Sequence, residues 1–304
     1  MCRVLSYLGK PIKLEELLYN PDNSLITQSY NPKFMTHMML NLAGFGMAAW
    51  DDFFYTSERP FLYRSNTLPF YDENLKSIAM KVKSRCLIAH IRGVEYNNKG
   101  VVSNENVHPF LFDNTSIAFA HNGSLAGFED IRYEIASYSK PEFKKQIRGT
   151  TDSEWMYALF LSLLPENKEL DINDIFDGVL SLIDRLLFIR KKHSIMLSSP
   201  LNFFISNGSF IVATRVVLNY GHYSAKQFLS PHMIYHSLWY THGESYGFDG
   251  EGYKMKMGKS KNSIIISSEP LTEDSTTWIE IPEYSFIGAT LEKDKIQIKS
   301  LDII

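Results

Sequence analysis

The chain has 304 residues, 44% of them hydrophobic, which is enough apolar material for one large core or two packed layers. Its 31 basic and 34 acidic residues give a formal net charge of −3, so the charge offers no footprint for nucleic acid as a partner. No apolar run reaches the length of about 18 residues that a membrane span requires, and no membrane span is expected.

Strands are expected in the first and last parts of the chain, with two long helices between them. In the first part we predict strands at Cys2–Leu8, Phe45–Trp50, Phe61–Arg64, Cys86–Ile91 and Ile117–Ala120, a helical turn at Glu15–Tyr19 and a helix at Glu73–Lys83. The first long helix opens on a capping box, Thr151-x-x-Glu154, and ends before Pro165, and the second covers Ile172–Phe188.

After these helices the pattern returns to short strands, at Phe203–Ser206, Phe210–Thr214, Ser263–Ser267, Trp278–Ile281, Ser285–Thr290 and Lys295–Ile298. Asn207-Gly208 between two of them predicts a hairpin. This order fits two stacked sheets with helices outside. We find no linker, repeat or low-complexity tract, which predicts a single domain over residues 1–304.

The chain has two cysteines, Cys2 and Cys86, too few for a disulfide framework. The first residues are too few and too polar beyond Leu8 to form a secretory signal, and a reducing cytoplasm is the expected location.

Cys2 becomes the first residue if Met1 is removed, and it then carries both a thiol and a free α-amine. The amine has a reference pKa of about 7.7–8.0, so it can act as a general base for its own thiol. A buried strand residue is the alternative interpretation of Cys2.

Three further segments could surround this thiol. Arg92 follows an apolar strand and precedes a glycine, where its guanidinium could bind a carboxylate, or it could be an ordinary surface arginine. Asn122 and Gly123 could donate two hydrogen bonds to one oxygen, as in an oxyanion hole, or form a plain tight turn at the end of a strand. Asp152 could bind an ammonium group, or interact only with the dipole of the helix it begins.

The order of these segments along the chain resembles a known family. Cys2 is followed by His90-Ile91-Arg92-Gly93, Asn106-x-His108-Pro109-Phe110, Ala120-His121-Asn122-Gly123 and Gly149-Thr150-Thr151-Asp152-Ser153-Glu154. This order is similar to that of the class II glutamine amidotransferases of the N-terminal-nucleophile family. Cys2–Gly9, Ala213-Thr214-Arg215 and Ser267-Ser268-Glu269-Pro270-Leu271 look like the stand-alone branch, which includes the γ-glutamyl hydrolases of ergothioneine and glutathione metabolism.

The resemblance implies an α+β fold, a four-layer αββα sandwich with Cys2 at the end of a central strand. It implies that Cys2 is the nucleophile and, through its amine, the base. It also implies that Arg92 binds the substrate α-carboxylate, that Asp152 binds the α-ammonium, and that Asn122 and Gly123 form the oxyanion hole. The expected reaction is hydrolysis of the γ-amide of glutamine or of a γ-glutamyl compound, with a small-molecule substrate and no metal or organic cofactor.

Two other interpretations stay open. The chain could be a glutaminase subunit that supplies ammonia to a separate synthetase, or a catalytically silent binding protein on the same fold. The sequence also departs from the family pattern where the pocket wall is expected, since Ala43 replaces an acid in Asn41–Gly46 and Gly93-Val94-Glu95 follows the arginine. These departures bear on the leaving group more than on the chemistry.

Two motifs of other enzyme classes are set aside. Gly243-Glu244-Ser245-Tyr246-Gly247 matches a nucleophile elbow, but the residues after it have three glycines and no helical period. His232 and His236 have the spacing of a helical metal site, but no third ligand accompanies them.

Overall fold

The computed structural model describes residues 2–34, 41–51, 59–94, 102–166, 169–220, 237–292 and 295–302. The strands in these ranges are β1 (Arg3–Lys13), β2 (Phe45–Trp50), β3 (Phe61–Ser65), β4 (Lys83–Ile91), β5 (Ala118–Gly123), β6 (Ser199–Ser206), β7 (Phe210–Arg215), β8 (Val217–Leu218), β9 (Trp239–Gly243), β10 (Ser245–Phe248), β11 (Tyr253–Lys256), β12 (Ser263–Ser267), β13 (Ile279–Glu280), β14 (Ser285–Glu292) and β15 (Lys295–Asp302). The helices are α1 (Glu15–Leu18), α2 (Glu73–Lys81), α3 (Phe128–Ser137), α4 (Pro141–Lys144), α5 (Asp152–Leu163) and α6 (Ile172–Lys192).

Two antiparallel sheets contain most of the strands. The first has the order β13-β9-β12-β1-β4-β2-β3, with β1 in the middle. The second has the order β15-β14-β7-β6-β5, and β8 pairs with β6. Because Arg3 of β1 pairs with Ile91 of β4, the beginning of β1 lies beside the end of β4.

The two sheets pack face to face around a buried, mainly aliphatic layer. Side chains alternate between the faces of a strand, so Val4 and Leu8 of β1 enter this layer, whereas Leu5 and Tyr7 point to the opposite face. Ala118 and Ala120 of β5 reach the same layer from the second sheet. The first sheet therefore has apolar side chains on both faces of its central strand.

Helices cover the outer face of each sheet. Buried leucines of α1 and α2 pack against the first sheet, and the longer helices α3, α5 and α6 pack against the second. The layers follow the order helix, sheet, sheet, helix, which confirms the predicted αββα sandwich. The hairpin predicted at Asn207-Gly208 is also present, since β6 ends at Ser206 and β7 begins at Phe210.

The sequence did not predict helix α3. Its buried residues Phe128, Ile131 and Ile135 lie on one face and pack against α5 and α6, while charged side chains separate them in the sequence. The second long helix also extends past its predicted end at Phe188, because Ile189 and Arg190 are buried and prolong the contact with the core.

Phe286 offers a test of the packing between the second sheet and the helices that cover it. Its ring is fully buried and stacks on Phe176, with the ring centroids 5.8 Å apart. Phe286→Ala should lower the free energy of unfolding by about 3–5 kcal/mol, because it removes a large apolar side chain and leaves a cavity. Urea denaturation measures this change. Met257→Ala is the control, since Met257 is 71% exposed and its loss should change stability by less than about 0.5 kcal/mol. Equal effects of the two substitutions would contradict the packing described here.

Candidate active site

Cys2 lies directly before β1, the central strand of the first sheet. Its Sγ is 3.5 Å from the backbone nitrogen of Gly93 and 3.9 Å from the Gly93 carbonyl oxygen. The thiol is half-buried, whereas Cys86 is completely buried, and burial raises the pKa of Cys86 to about 12. Both cysteines are free. Of the two thiols, that of Cys2 therefore has access to solvent and to a substrate.

Arg92 is the first residue after β4 and is only 4% exposed, so it is not a surface arginine. Its backbone is held by a bond from its N–H to the Gly44 carbonyl, 2.8 Å, and by one from the Ala43 N–H to its own carbonyl, 2.9 Å. Burial lowers the pKa of its guanidinium, and the charges of Cys2 and Asp152 act in the opposite direction. Arg92 thus lies within electrostatic reach of both residues.

Asn122 and Gly123 are the last residues of β5. They pair with Asn202 and Leu201 of β6, so the strand continues through both residues and the alternative of a plain tight turn is wrong. A Cβ atom on Gly123 would lie 1.9 Å from the carbonyl oxygen of Pro200, which explains why a glycine is needed here. The Asn122 side chain is buried, and its Nδ2 lies 3.4 Å from Oγ of Ser268.

Asp152 is the first residue of α5, after Thr151 at the N-cap position. Its Oδ2 accepts a hydrogen bond from the Leu125 backbone N–H, 2.6 Å, and its Oδ1 accepts one from the Ser153 hydroxyl, 2.9 Å. These two bonds fix the carboxylate plane and leave acceptor capacity on both oxygens. The half-buried carboxylate is therefore held in place and remains able to bind a cation.

The capping box predicted at the start of this helix is wrong in its hydrogen bonds. Thr151 makes no side-chain capping bond. Glu154 instead points back to the preceding segment, where its carboxylate accepts bonds from the backbone N–H groups of Arg148 and Gly149. Burial raises the pKa of Glu154, and these two bonds lower it. The helix begins where predicted, but its first turn is bound to the loop before it.

Three histidines lie behind the site, and each is buried. The rings of His90 and His108 are stacked with their centroids 4.2 Å apart. Nε2–H of His90 donates to the carbonyl of His121 at 3.2 Å, and the N–H of His121 donates to Nδ1 of His108 at 3.2 Å. Burial lowers the pKa of His90 to about 3 and lowers the pKa values of His108 and His121. The lowered pKa values favour neutral imidazoles at this position behind the site.

Other features seen in the sequence form no second site. The Gly243–Gly247 motif lies in two successive strands, β9 and β10, and is followed by strand β11 instead of a helix, so it is not a nucleophile elbow. His232 and His236 lie outside the described residues. Within the described ranges there is no group of three histidine, cysteine or acidic side chains suited to a metal ion, and no helix long and apolar enough to cross a membrane.

A cavity of about 960 Å³ lies at the other end of β2 and β4, lined by residues that include Trp50, Arg85 and Gly208. None of the five predicted site residues contributes to it. Its size alone therefore gives no reason to place the chemistry there, and the polar groups converge at the Cys2 end of the sheets.

Sequence reasoning gave no role to three buried residues that contact the site. Arg3 donates from Nη1 to the Cys2 carbonyl, 3.1 Å, and pairs with Glu269 at 2.8 Å. Ser268 contacts Asn122. Two segments that resemble the family contain these residues, Cys2–Gly9 with Arg3 and Ser267–Leu271 with Ser268 and Glu269, but the resemblance assigned them no function.

Comparison with known proteins identifies the family. The sequence profile of the class-II glutamine amidotransferases matches residues 53–288, more than half of the chain. The chain belongs to this family. Amide hydrolysis is therefore its general chemistry. The family that the order of the motifs predicted is confirmed.

Individual relatives agree with this assignment. The chain is 31% identical over 317 residues to the probable glutamine amidotransferase DUG3 of Saccharomyces cerevisiae, covering 97% of this chain and 83% of the yeast protein. It is 33% identical over 92 residues to the γ-glutamyl-hercynylcysteine sulfoxide hydrolase of Mycolicibacterium smegmatis, covering 30% of this chain and 39% of that protein.

Solved structures show the same fold. A glutamine aminotransferase class-II domain protein from Silicibacter pomeroyi superposes with a TM-score of 0.60 at 21% identity, covering 98% of both chains. The glutamine phosphoribosylpyrophosphate amidotransferase of B. subtilis gives a TM-score of 0.54 at 16% identity, covering 98% of this chain and 49% of that one.

The buried histidines predict how stability depends on pH. An unfolded histidine has a pKa of about 6.5, whereas folding lowers the pKa of His90 to about 3. Between these values the unfolded chain binds more protons, so the free energy of unfolding should fall as the pH falls from about 6.5 to about 3. Each unit of pKa depression contributes about 1.4 kcal/mol. His90→Gln keeps a donor toward the His121 carbonyl and removes one titrating group, so it should flatten this decline. Urea denaturation across the pH range is the measurement, and an equally steep His90→Gln profile would contradict the prediction.

Proposed function

We propose that this protein hydrolyses the γ-amide bond of glutamine or of a γ-glutamyl compound, with Cys2 as the nucleophile. The observation that carries the proposal is the convergence of Cys2, Arg92, Asn122 and Asp152 at one end of the two sheets. These residues come from four separate segments of the chain, and together they offer a thiol, a cation, an amide donor and a carboxylate. Membership of the amidotransferase family supports this interpretation.

The charges of Arg92 and Asp152, which interact with each other electrostatically, fit the amino-acid end of a γ-glutamyl group. The guanidinium of Arg92 is suited to the α-carboxylate, because its planar fork binds two oxygens at once. The carboxylate of Asp152 is suited to the α-ammonium. Burial of Arg92 strengthens its interaction with the α-carboxylate, because water screens a buried charge less than an exposed one. A substrate held at these two points would present its γ-carbonyl to the thiol.

The chemical step uses Cys2 twice. After removal of Met1, which lies outside the described residues, the α-amine of Cys2 accepts the thiol proton, and Sγ attacks the γ-carbonyl carbon. The resulting oxyanion accepts hydrogen bonds from Nδ2 of Asn122 and from the backbone N–H of Gly123. The protonated amine then gives its proton to the leaving nitrogen, and the C–N bond breaks to leave a γ-glutamyl thioester. Water hydrolyses the thioester and releases the γ-carboxylate.

The names of the relatives favour the γ-glutamyl group as the recognised half of the substrate. The yeast relative is named as a glutamine amidotransferase and the mycobacterial one as a hydrolase of a γ-glutamyl compound. Both substrates contain a γ-glutamyl group, which is the part that Arg92 and Asp152 are proposed to hold. Transfer of the released ammonia to a separate synthetase would be compatible with the same site, and assays with and without candidate partners distinguish the two uses.

Cys2→Ala is expected to abolish the release of glutamate from glutamine and from γ-glutamyl peptides, because it removes the attacking sulfur. Glutamate formation by the purified protein is the measurement. Cys86→Ala is the matched control, since this second thiol is completely buried at a distance from the site and its loss should leave kcat unchanged.

The Cys2→Ala assay and a measurement of intact mass together decide between catalysis and a silent binding protein. The intact mass of the protein from its native cell shows whether Met1 is removed, and a retained Met1 would block the amine that acts as base. Substantial turnover by Cys2→Ala, or a retained Met1 in active protein, would contradict the proposed mechanism.

Arg92→Ala and Asp152→Asn should act mainly on binding. Each removes one charge that holds the amino-acid end of the substrate, and loss of a charged hydrogen bond costs about 1.5–3 kcal/mol. We therefore expect KM for glutamine to rise at least tenfold in each variant, measured by steady-state kinetics. An unchanged KM in either variant would remove the role proposed for that residue.

A further inference from the structure

The segment Ser268-Glu269, which follows β12, lies against the beginning of β1 and is almost completely buried. The Ser268 N–H donates to the Val4 carbonyl at 2.9 Å, and the Val4 N–H donates to Oγ of Ser268 at 3.0 Å. Both backbone groups of Val4, two residues from Cys2, are therefore bonded to Ser268. The Ser268 carbonyl in turn accepts a bond from the Ser237 hydroxyl at 2.8 Å. The segment is held firmly at the nucleophile end of the central strand.

The hydroxyl of Ser268 also faces the amide of Asn122. Nδ2 of Asn122 is 3.4 Å from Oγ of Ser268, while Oδ1 of Asn122 is buried and has no hydrogen-bond partner in the part of the chain that the structure describes. A buried amide oxygen without a donor is costly, by about 1–3 kcal/mol. Rotation of the amide plane by half a turn lets the Ser268 hydroxyl donate to Oδ1 and moves Nδ2 to the position that has no hydrogen-bond partner among the described residues. The same rotation frees Nδ2–H to point away from Ser268.

Glu269 contacts the nucleophile Cys2 indirectly, through Arg3. Its carboxylate pairs with Arg3 at 2.8 Å, with both side chains buried, and it also accepts a bond from the Lys33 N–H at 2.8 Å. Arg3 donates to the carbonyl of Cys2 at 3.1 Å. A chain of contacts thus runs from Glu269 through Arg3 to the backbone of Cys2.

Stability alone does not explain this ion pair. Burying two charges costs solvation, and an apolar pair of similar size often gives equal or greater stability. A buried pair does, however, fix the geometry of what it touches, and here that is the residue with the thiol.

We propose that Ser268 and Glu269 together are positioning residues for the reaction, Glu269 holding Cys2 through Arg3 and Ser268 holding the Asn122 amide with an N–H toward the oxyanion. This inference rests on the proposed function. Adjacent residues of one segment would thereby set the distance between the nucleophile and the oxyanion donor, which come from different sheets.

The first test is Ser268→Ala, compared with Ser206→Ala. Ser206 is an equally buried serine at the far end of β6, so it controls for the loss of a buried hydroxyl. With glutamine as substrate, Ser268→Ala should lower kcat by about tenfold to a hundredfold, less than the loss of about a hundredfold to a thousandfold that follows removal of an oxyanion donor itself. KM should stay within about twofold, because Arg92 and Asp152 are untouched. Ser206→Ala should retain the wild-type kcat. Ser268→Thr keeps a hydroxyl and should recover part of the lost kcat, which a purely structural role would not predict.

The second test separates positioning from stability. The double variant Arg3→Met/Glu269→Leu replaces the ion pair by an apolar pair and should unfold at the same or a higher urea concentration than the wild type. Its kcat should nevertheless fall about tenfold or more, because the bond from Arg3 to the Cys2 carbonyl is lost. If this variant does not fold, Glu269→Gln takes its place, with kcat measured on the folded fraction.

The outcomes distinguish the two proposals. Absence of glutamine or γ-glutamyl turnover in the wild type would overturn the proposed function. Turnover in the wild type that is unchanged in Ser268→Ala, or unchanged in the folded ion-pair variant, would overturn the positioning role and leave the proposed function intact.

Discussion

The pairing register between β1 and β4 is the constraint on which the candidate site depends. Arg3 lies opposite Ile91, so the residues beyond them, Cys2 and Arg92, face each other, and the thiol reaches the backbone of Gly93. A slip of one residue would turn every side chain of β1 to the other face of the sheet. Apolar side chains are buried on both faces of β1, so such a slip would cost core packing on both sides at once.

The sequence predicted the parts of the site that local patterns govern. Apolar runs located the strands. A polar residue directly after such a run lies at the end of a strand, where its side chain can reach a cleft, and this is how a binding role could be predicted for Arg92. Asp152 could be placed because helix starts have strong local preferences. The order of the segments then supplied the family, and with it the layers of the fold.

What the sequence could not predict depends on contacts between distant residues. Asn-Gly has a local preference for tight turns, but pairing with β6 keeps Asn122 and Gly123 in the strand. A threonine and a glutamate three residues apart suggest a capping box, yet the loop before α5 supplies better partners for Glu154. The contacts of Ser268 with Val4 and Asn122 join residues more than a hundred positions apart, so no local sequence pattern predicts them.

The two sheets contribute different parts of the proposed chemistry, so the packing between them sets the catalytic geometry. Cys2 directly precedes the central strand of the first sheet, and Asn122 belongs to the second sheet. The layer between the sheets contains several alanines, Ala48, Ala118, Ala120, Ala213 and Ala289, which allow the sheets to approach closely. A larger side chain there would force the backbone to shift and would move the sheets apart, because a well-packed core has no room for added volume. The distance between the thiol and the proposed oxyanion donor therefore depends on the protein core, and Ser268, which bonds to Val4 of the first sheet and contacts Asn122 of the second, lies between these two groups.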